Sequence, residues 1–411
     1  MIQQRDVIVV GGGMAGAAVI AALRQIHFRG SIRLVCAEPE LPYDRPALSK
    51  DYFTGERPAE RLLLRSGTFW QEQNVEIQTG CEAVRVDARR QCVELADGSI
   101  LGYGALVWAA GSKPRDLPWA RSLPLQVLPF RSRADVDRIN ARLPDAKRVA
   151  IVGAGFIGLE TAPGLLKKGK SVILLEAGNR LLESRAAPVV SNWIERMHRA
   201  KGVEFKLGVQ VTEPIMAEGR LSGIRLMDGS AVDCDLVIVA IGTQPVCDPL
   251  GAAGAETSNG IDVDEHCRSS LPNVYAIGDC AAQISPYAGG KRVRIESVQH
   301  ATDQAKAVAL TLAGTPTTYD AVPWFWSNQF DMKLQTVGLS SGYDTAVTRG
   351  DPQTGKFSVA YLRDGRILAF DCINNTKDFM QSKALVKAAA MVPIAAIADA
   401  SEPLASLVAS G

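Results

Sequence analysis

The chain has 411 residues, room for two or three domains at about 150 each, and its 47% hydrophobic and 22% charged content excludes a disordered chain. Lys plus Arg total 45 against 44 Asp plus Glu, a net charge of +1, which excludes a general nucleic-acid binder relying on a basic excess. The apolar stretch Ala388 to Ala398 has 11 residues and contains Pro393, and no stretch reaches the ~20 that a membrane-spanning helix needs, so no membrane association is expected.

The chain opens directly into an apolar run, Val7-Ile8-Val9-Val10, without the pattern of a secretory signal, and the expected compartment is the cytoplasm. Gly11-Gly12-Gly13-Met14-Ala15-Gly16 follows, then a helical pattern with Ala18, Val19, Ala22, Leu23 and Ile26 on one face. A second strand, Ile32 to Val35, leads to Glu38, 22 residues after the last glycine. Strand, glycine turn, helix, strand and acidic residue together form a dinucleotide-binding fingerprint. The first glycine allows the tight turn, the second lets backbone approach a pyrophosphate, and the third lets helix and strand pack closely. A carboxylate at the end of the second strand can accept hydrogen bonds from a ribose diol.

The same pattern recurs further along. Val149-Ala150-Ile151-Val152 leads into Gly153-Ala154-Gly155-Phe156-Ile157-Gly158, a helix, the strand Val172 to Leu175, and Glu176. Each copy then carries an Asp-Gly turn, at Asp97-Gly98 and Asp228-Gly229, and 13 residues beyond that glycine an apolar strand ends at Gly111 or Gly242. A single such turn is also compatible with simple packing; two copies with the same context predict two nucleotide sites. Pro163 falls inside the second helix, where it removes a backbone donor and predicts a kink close to Glu160.

Later in the chain, Tyr275-Ala276-Ile277-Gly278-Asp279 reads as a strand ending in an acid that suits a flavin ribityl chain or, more plainly, caps a helix. Lys291-Arg292-Val293-Arg294 is a compact basic run, and Trp324-Phe325-Trp326 an aromatic group that serves either core packing or electron exit. The eight cysteines lie at least 11 residues apart, so the redox-dithiol spacings are absent; Cys36 is expected inside a strand. The four histidines are scattered, and no metal site is expected. Residues 383–411 read as terminal helix and turn.

Both glycine motifs, Pro42-Tyr43-Asp44-Arg45-Pro46-Ala47-Leu48-Ser49-Lys50, Tyr275 to Asp279, Arg294-Ile295-Glu296-Ser297-Val298-Gln299 and Pro323-Trp324-Phe325-Trp326-Ser327 carry a specific resemblance. Over nearly its whole length the chain resembles the FAD-dependent ferredoxin reductases of bacterial oxygenase systems, which share the two-dinucleotide-domain fold of glutathione reductase. The resemblance implies an α/β protein with two Rossmann-like domains, one discontinuous, and a C-terminal α+β domain. Its expected boundaries are 1–113 and 243–319 for FAD, 114–242 for NADH, and 320–411 for the C-terminal domain.

The resemblance also implies roles. Gly11, Gly13, Ala15 and Gly16 would meet the FAD pyrophosphate, Glu38 the adenosine ribose, and the backbone of Val84 the adenine. Arg45 and Arg131 would help hold the cofactor, Asp279 would take its ribityl and phosphate region, and Val298 would lie at the flavin ring. Gly153, Gly155, Gly158 and Gly242 would line the NADH site, with Glu176 on the ribose. Lys50 and Glu160 would form an ion pair at the reacting atoms, and are the candidate catalytic residues.

Glu176 repels a 2′-phosphate and Ala177-Gly178-Asn179 supplies no cation for one, which favours NADH over NADPH. A helix starting near Ser297 would aim its positive end at the flavin. The implied partner is an acidic two-iron two-sulfur ferredoxin, bound transiently by a monomer or homodimer. The Glu-Ser-Val-Gln form at 296–299 points to a haem-thiolate mono-oxygenase as the final acceptor. The alternatives are a ring-hydroxylating dioxygenase reductase, a rubredoxin reductase, and a redox-sensing flavoprotein of the apoptosis-inducing-factor type.

Overall fold

The computed structural model describes residues 3–410. The chain folds as two compact units, each assembled from separated segments: one from residues up to Arg45, Ala59–Lys113 and Gln244–Pro323, the other from Pro46–Pro58, Pro114–Thr243 and Trp324 onward.

In the first unit, parallel strands lie in the order Val75–Gln78, Ile32–Val35, Gln3–Val10, Ile100–Trp108, and Val274–Ala276 pairs with the free side of the last. Cys92–Leu95 and Ala83–Asp87 extend the sheet antiparallel, through a hairpin that turns at Asp97-Gly98. Side chains alternate across the first strand, so Val7 and Val9 join one core and Ile8 and Val10 the other. The helix Met14–Gln25 buries Val19, Ile20 and Leu23 in the former, alongside Val308 of the helix Val298–Leu312. Each fully buried aliphatic side chain contributes about 1.5–3 kcal/mol, so apolar packing on both faces fixes the strand that ends at the glycine turn.

The second unit repeats this order with Val203–Leu207, Ser171–Glu176, Arg148–Val152, Leu236–Val239 and Val127–Pro129, all parallel. Its helix Phe156–Lys167 runs unbroken through Pro163, so the predicted kink interrupts no helical turn. Gly164 answers a packing need: a Cβ there would come within 2.5 Å of the Phe53 ring.

From Trp324 the chain forms a five-stranded antiparallel sheet, ordered Trp324–Gln329, Met332–Gly338, Arg366–Ile373, Lys356–Arg363, Thr345–Asp351. The helix Thr376–Lys387 and shorter helical turns complete the α+β arrangement. Buried Arg349 pairs with Asp378 at 3.1 Å and donates to the carbonyls of Ile397, Asp399 and Glu402, tying the C-terminal segment down.

Candidate functional site

The two glycine turns test whether nucleotides fit. Gly11 sits at φ +114°, where a Cβ would lie 2.2 Å from the Ala109 carbonyl oxygen; Gly153 sits at φ +105°, with a Cβ 2.4 Å from that of Ala240. Gly16 and Gly158 repeat a second contact, since a Cβ on either would meet the oxygen of Gly11 or Gly153 at 2.0 or 2.1 Å. At Gly13 and Gly155, by contrast, a Cβ would find nothing within 4 Å. Each turn is therefore closed against its own protein at the first and third glycines and open at the second, the position at which turns of this pattern admit a pyrophosphate. Gly13 and Gly155 are also the N-caps of their helices, and neither supplies a side-chain cap. The N-terminal N–H groups and dipole thus lack the usual capping side chain, as an anion site requires.

In the first unit, Glu38 accepts a hydrogen bond from the Tyr43 hydroxyl at 2.5 Å and an ion pair from Arg45, whose guanidinium also lies 4.9 Å from the Tyr43 ring centre. Burial works against the Arg45 charge, but neighbouring Tyr43 and Glu38 outweigh it and hold the guanidinium above its ordinary value. Gly278, at φ +75°, would place a Cβ 3.0 Å from that of Ala15. Its turn thus lies against the start of the first helix and carries Asp279, which accepts from the Ser112 hydroxyl at 3.3 Å. Val298 opens the helix Val298–Leu312, and Ser297 caps it by accepting the His300 N–H at 3.1 Å, where the sequence placed that helix start. Val84 is exposed on the strand Ala83–Asp87. Cys36 follows the strand instead of lying within it, and its sulfur sits under Gly12.

In the second unit, the Glu176 carboxylate accepts the N–H of Ala154 at 2.7 Å and of Gly178 at 2.8 Å, so it braces the glycine turn through backbone. Arg180 is the nearest following cation, but its guanidinium is spent on the carbonyls of Ala186 and Glu183 and the Ser191 hydroxyl. Gly242, at φ +90°, follows the strand Leu236–Val239, and its carbonyl accepts the Arg115 N–H at 2.9 Å. Arg131 lies on the short link into the helix Arg133–Arg142.

Lys50 and Glu160 meet. Glu160 is buried, and its Oε2 accepts from Lys50 Nζ at 2.7 Å and from Ser49 Oγ at 2.6 Å, while its Oε1 accepts from Ser327 Oγ at 2.7 Å. Lys50 Nζ also donates to the Pro46 carbonyl at 3.1 Å. Each carboxylate oxygen thus has a donor, which repays the cost of burying its charge. The sequence points to the ion pair, but Ser49 and Ser327, though they sit inside recognisable motifs, carry no local signal for a role at this carboxylate.

The basic run is more committed than its composition suggests. It is a strand, Lys291–Arg294, in which Arg292 pairs with Asp262 at 3.4 Å and donates to the carbonyls of Val263 and Ala282. Arg294 pairs with Glu296 and donates to the Asp279 carbonyl at 3.0 Å. Among the aromatics, Phe325 packs edge-on against Phe156 at 4.7 Å, and Trp324 and Trp326 lie 5.8 Å apart, half-buried.

Residues 5–305 match the family described as pyridine nucleotide-disulphide oxidoreductase, and residues 324–408 match one described as reductase C-terminal. The chain is 48% identical over 407 residues to the 5,5'-dehydrodivanillate O-demethylase ferredoxin reductase subunit of a Sphingobium species, covering 98% of each. It is 37% identical to the putidaredoxin reductase of Pseudomonas putida over 410 residues, 98% of this chain and 97% of that one. The crystal structure of the covalent putidaredoxin reductase–putidaredoxin complex is similar at a TM-score of 0.95 and 37% identity, over 99% of this chain and 98% of that chain.

Proposed function

Starting from a chain that belongs to the pyridine nucleotide-disulphide oxidoreductase family, and within it to the ferredoxin reductases, we propose that it is an NADH-dependent ferredoxin reductase serving an oxygenase. The family binds FAD and uses a nicotinamide nucleotide. FAD, when bound, supplies the conversion of one hydride into two single-electron deliveries.

The residues divide the work. Gly11, Gly13, Ala15 and Gly16 receive the FAD pyrophosphate, and Glu38, steadied by Tyr43 and Arg45, accepts the ribose hydroxyls. Val84, Arg131, Asp279 and Val298 complete this cofactor's contacts. Gly153, Gly155, Gly158 and Gly242 receive NADH, with Glu176 on its ribose. The negative charge of Glu176 and the committed guanidinium of Arg180 support NADH over NADPH. Glu160 and Lys50, an ion pair with a buried carboxylate, orient the nicotinamide at the reacting atoms. The expected division into FAD, NADH and C-terminal domains at 113, 242 and 319 belongs to this reading.

The partner is an acidic two-iron two-sulfur ferredoxin in a transient complex with a monomer or homodimer. Val298 in its Glu-Ser-Val-Gln context supports a haem-thiolate mono-oxygenase beyond it. The eight cysteines are all free, which supports a cytoplasmic compartment.

The duplicated glycine cradle, open only at Gly13 and Gly155, carries the proposal. Under anaerobic conditions, stoichiometric NADH should bleach the yellow protein within seconds, NADPH should do so much more slowly, and the reduced protein should then reduce a two-iron two-sulfur ferredoxin. Bleaching without delivery to any such ferredoxin would favour the redox-sensing alternative.

A further inference from the structure

A buried chain of hydrogen bonds reaches Glu160 from the C-terminal sheet. Ser327 and Gln329 stand two residues apart on the strand Trp324–Gln329 and therefore on one face. Both are fully buried, as is His198 on the helix Pro188–Ala200. His198 Nε2 lies 2.9 Å from Gln329 Oε1, Gln329 Nε2 donates to Ser327 Oγ at 3.1 Å, and Ser327 Oγ donates to Glu160 Oε1 at 2.7 Å.

The chemistry of the groups gives this chain one direction. An ionised carboxylate only accepts, so the single Ser327 proton points to Glu160, and its oxygen lone pair takes the Gln329 N–H. The Gln329 oxygen only accepts, so His198 carries its proton on Nε2. That leaves His198 Nδ1 a bare acceptor, buried without a partner. Burial pulls the His198 pKa down to about 4, so the ring is neutral at physiological pH. A serine, a glutamine and a half-satisfied histidine are an expensive way to fill a core that aliphatic side chains fill elsewhere in the same sheet. The arrangement makes sense if its terminus must be held in place.

We propose that Ser327, backed by Gln329 and His198, is a positioning residue for hydride transfer: it fixes the Glu160 carboxylate by Oε1 so that Oε2 is presented to Lys50. The proposal rests on the reading that Glu160 and Lys50 act at the nicotinamide. Hydride transfer from a dihydronicotinamide to a flavin moves one proton together with two electrons and draws no proton from this network, so its task is positional.

The test uses the holoenzyme and four variants, Ser327→Ala, Ser327→Thr, Gln329→Leu and Glu160→Gln. Anaerobic stopped-flow bleaching with NADH separates the limiting rate from the apparent Kd, and ¹⁵N-histidine NMR reads the imidazole tautomers. Ser327→Ala should lower the limiting rate roughly tenfold while the Kd changes little, the loss of one hydrogen bond to a charged group. Ser327→Thr, which keeps a hydroxyl, should restore most of it, and Gln329→Leu should lower it about two- to threefold through the serine it leaves in place. His198 should appear as the neutral Nε2–H tautomer, and its signal should shift in Ser327→Ala. A wild-type limiting rate in Ser327→Ala, or a His198 proton on Nδ1, would overturn the proposal. If Glu160→Gln itself bleaches at the wild-type rate, the reading of the site fails instead; a slow Glu160→Gln beside an unaffected Ser327→Ala overturns only the positioning role.

Discussion

In the first unit, the helix after the glycine turn carries Ala18 and Ala21 where its counterpart in the second carries Glu160 and Pro163, 7 and 10 residues after the leading glycine in both. The turns themselves match almost contact for contact. The acids that follow do not: Glu38 is held by the side chains of Tyr43 and Arg45, Glu176 by the backbone N–H groups of Ala154 and Gly178. Both copies keep a geometry in which backbone closes the first and third glycines. What surrounds it diverges, and the divergent positions include those to which the proposed function gives different roles in the two units. Glu160 has no counterpart in the first unit, where Ala18 stands at the equivalent position.

The units also differ in how they titrate. In the first unit, burial pulls the pKa of His300 down to about 3, and in the second it pulls His198 down to about 4. Between those values and the unfolded value near 6.5, the unfolded state binds more protons, so each histidine makes stability rise with pH. The second unit opposes this with Asp371, fully buried in the C-terminal sheet. Burial raises its pKa to about 6, although hydrogen bonds from Thr336 and Tyr361 act the other way. From the unfolded value near 4 up to about 6 the native state binds the extra proton, so this contribution is present at low pH and lost as pH rises, about 3 kcal/mol in all. Asp371→Asn should therefore steepen the rise of second-unit stability between pH 4 and 6 by about that amount and leave the first unit alone. Hydrogen exchange resolved by residue reads the two units separately; an unchanged slope in the second would contradict this assignment.

A smaller effect concerns Pro163. The first unit holds alanine at the equivalent position, so Pro163→Ala should restore a helical hydrogen bond to Leu159 at little steric cost. Helix propensity favours the alanine by about 3 kcal/mol, and the unfolded chain gives back up to about 1, leaving a gain of about 2 kcal/mol confined to the second unit. Denaturant unfolding with hydrogen exchange checks it. A loss of stability would mean that the proline ring itself packs usefully there.

Much of this was legible in the sequence. The glycine turns follow from local pattern, since Gly11 and Gly153 answer contacts with Ala109 and Ala240 that any strand–turn–helix of this kind creates. The Lys50–Glu160 pair was legible only through a family resemblance, being 110 residues apart in the chain. Ser49 and Ser327 were not, because a serine's hydrogen-bond partner depends on folding that no local periodicity records. The same limit applied to the basic run: its composition does not record that Arg292 pairs with Asp262 and Arg294 with Glu296. Pro163 shows the reverse case: a local rule predicted an irregularity, and the helix continues through the proline to Lys167.

The proposed division of labour puts FAD at the first glycine turn and NADH at the second, and paired alanine substitutions test it directly. A Cβ at Gly11 or Gly153 clashes equally with its neighbouring carbonyl, so the two variants differ only in the site they damage. Gly11→Ala should purify colourless or lose its flavin on dialysis. Gly153→Ala should stay yellow and bleach with dithionite, yet bleach with NADH only at concentrations at least tens of times higher than the wild type needs, roughly a 2 kcal/mol loss of binding. A colourless Gly153→Ala, or a Gly11→Ala that retains full flavin, would rule out that division.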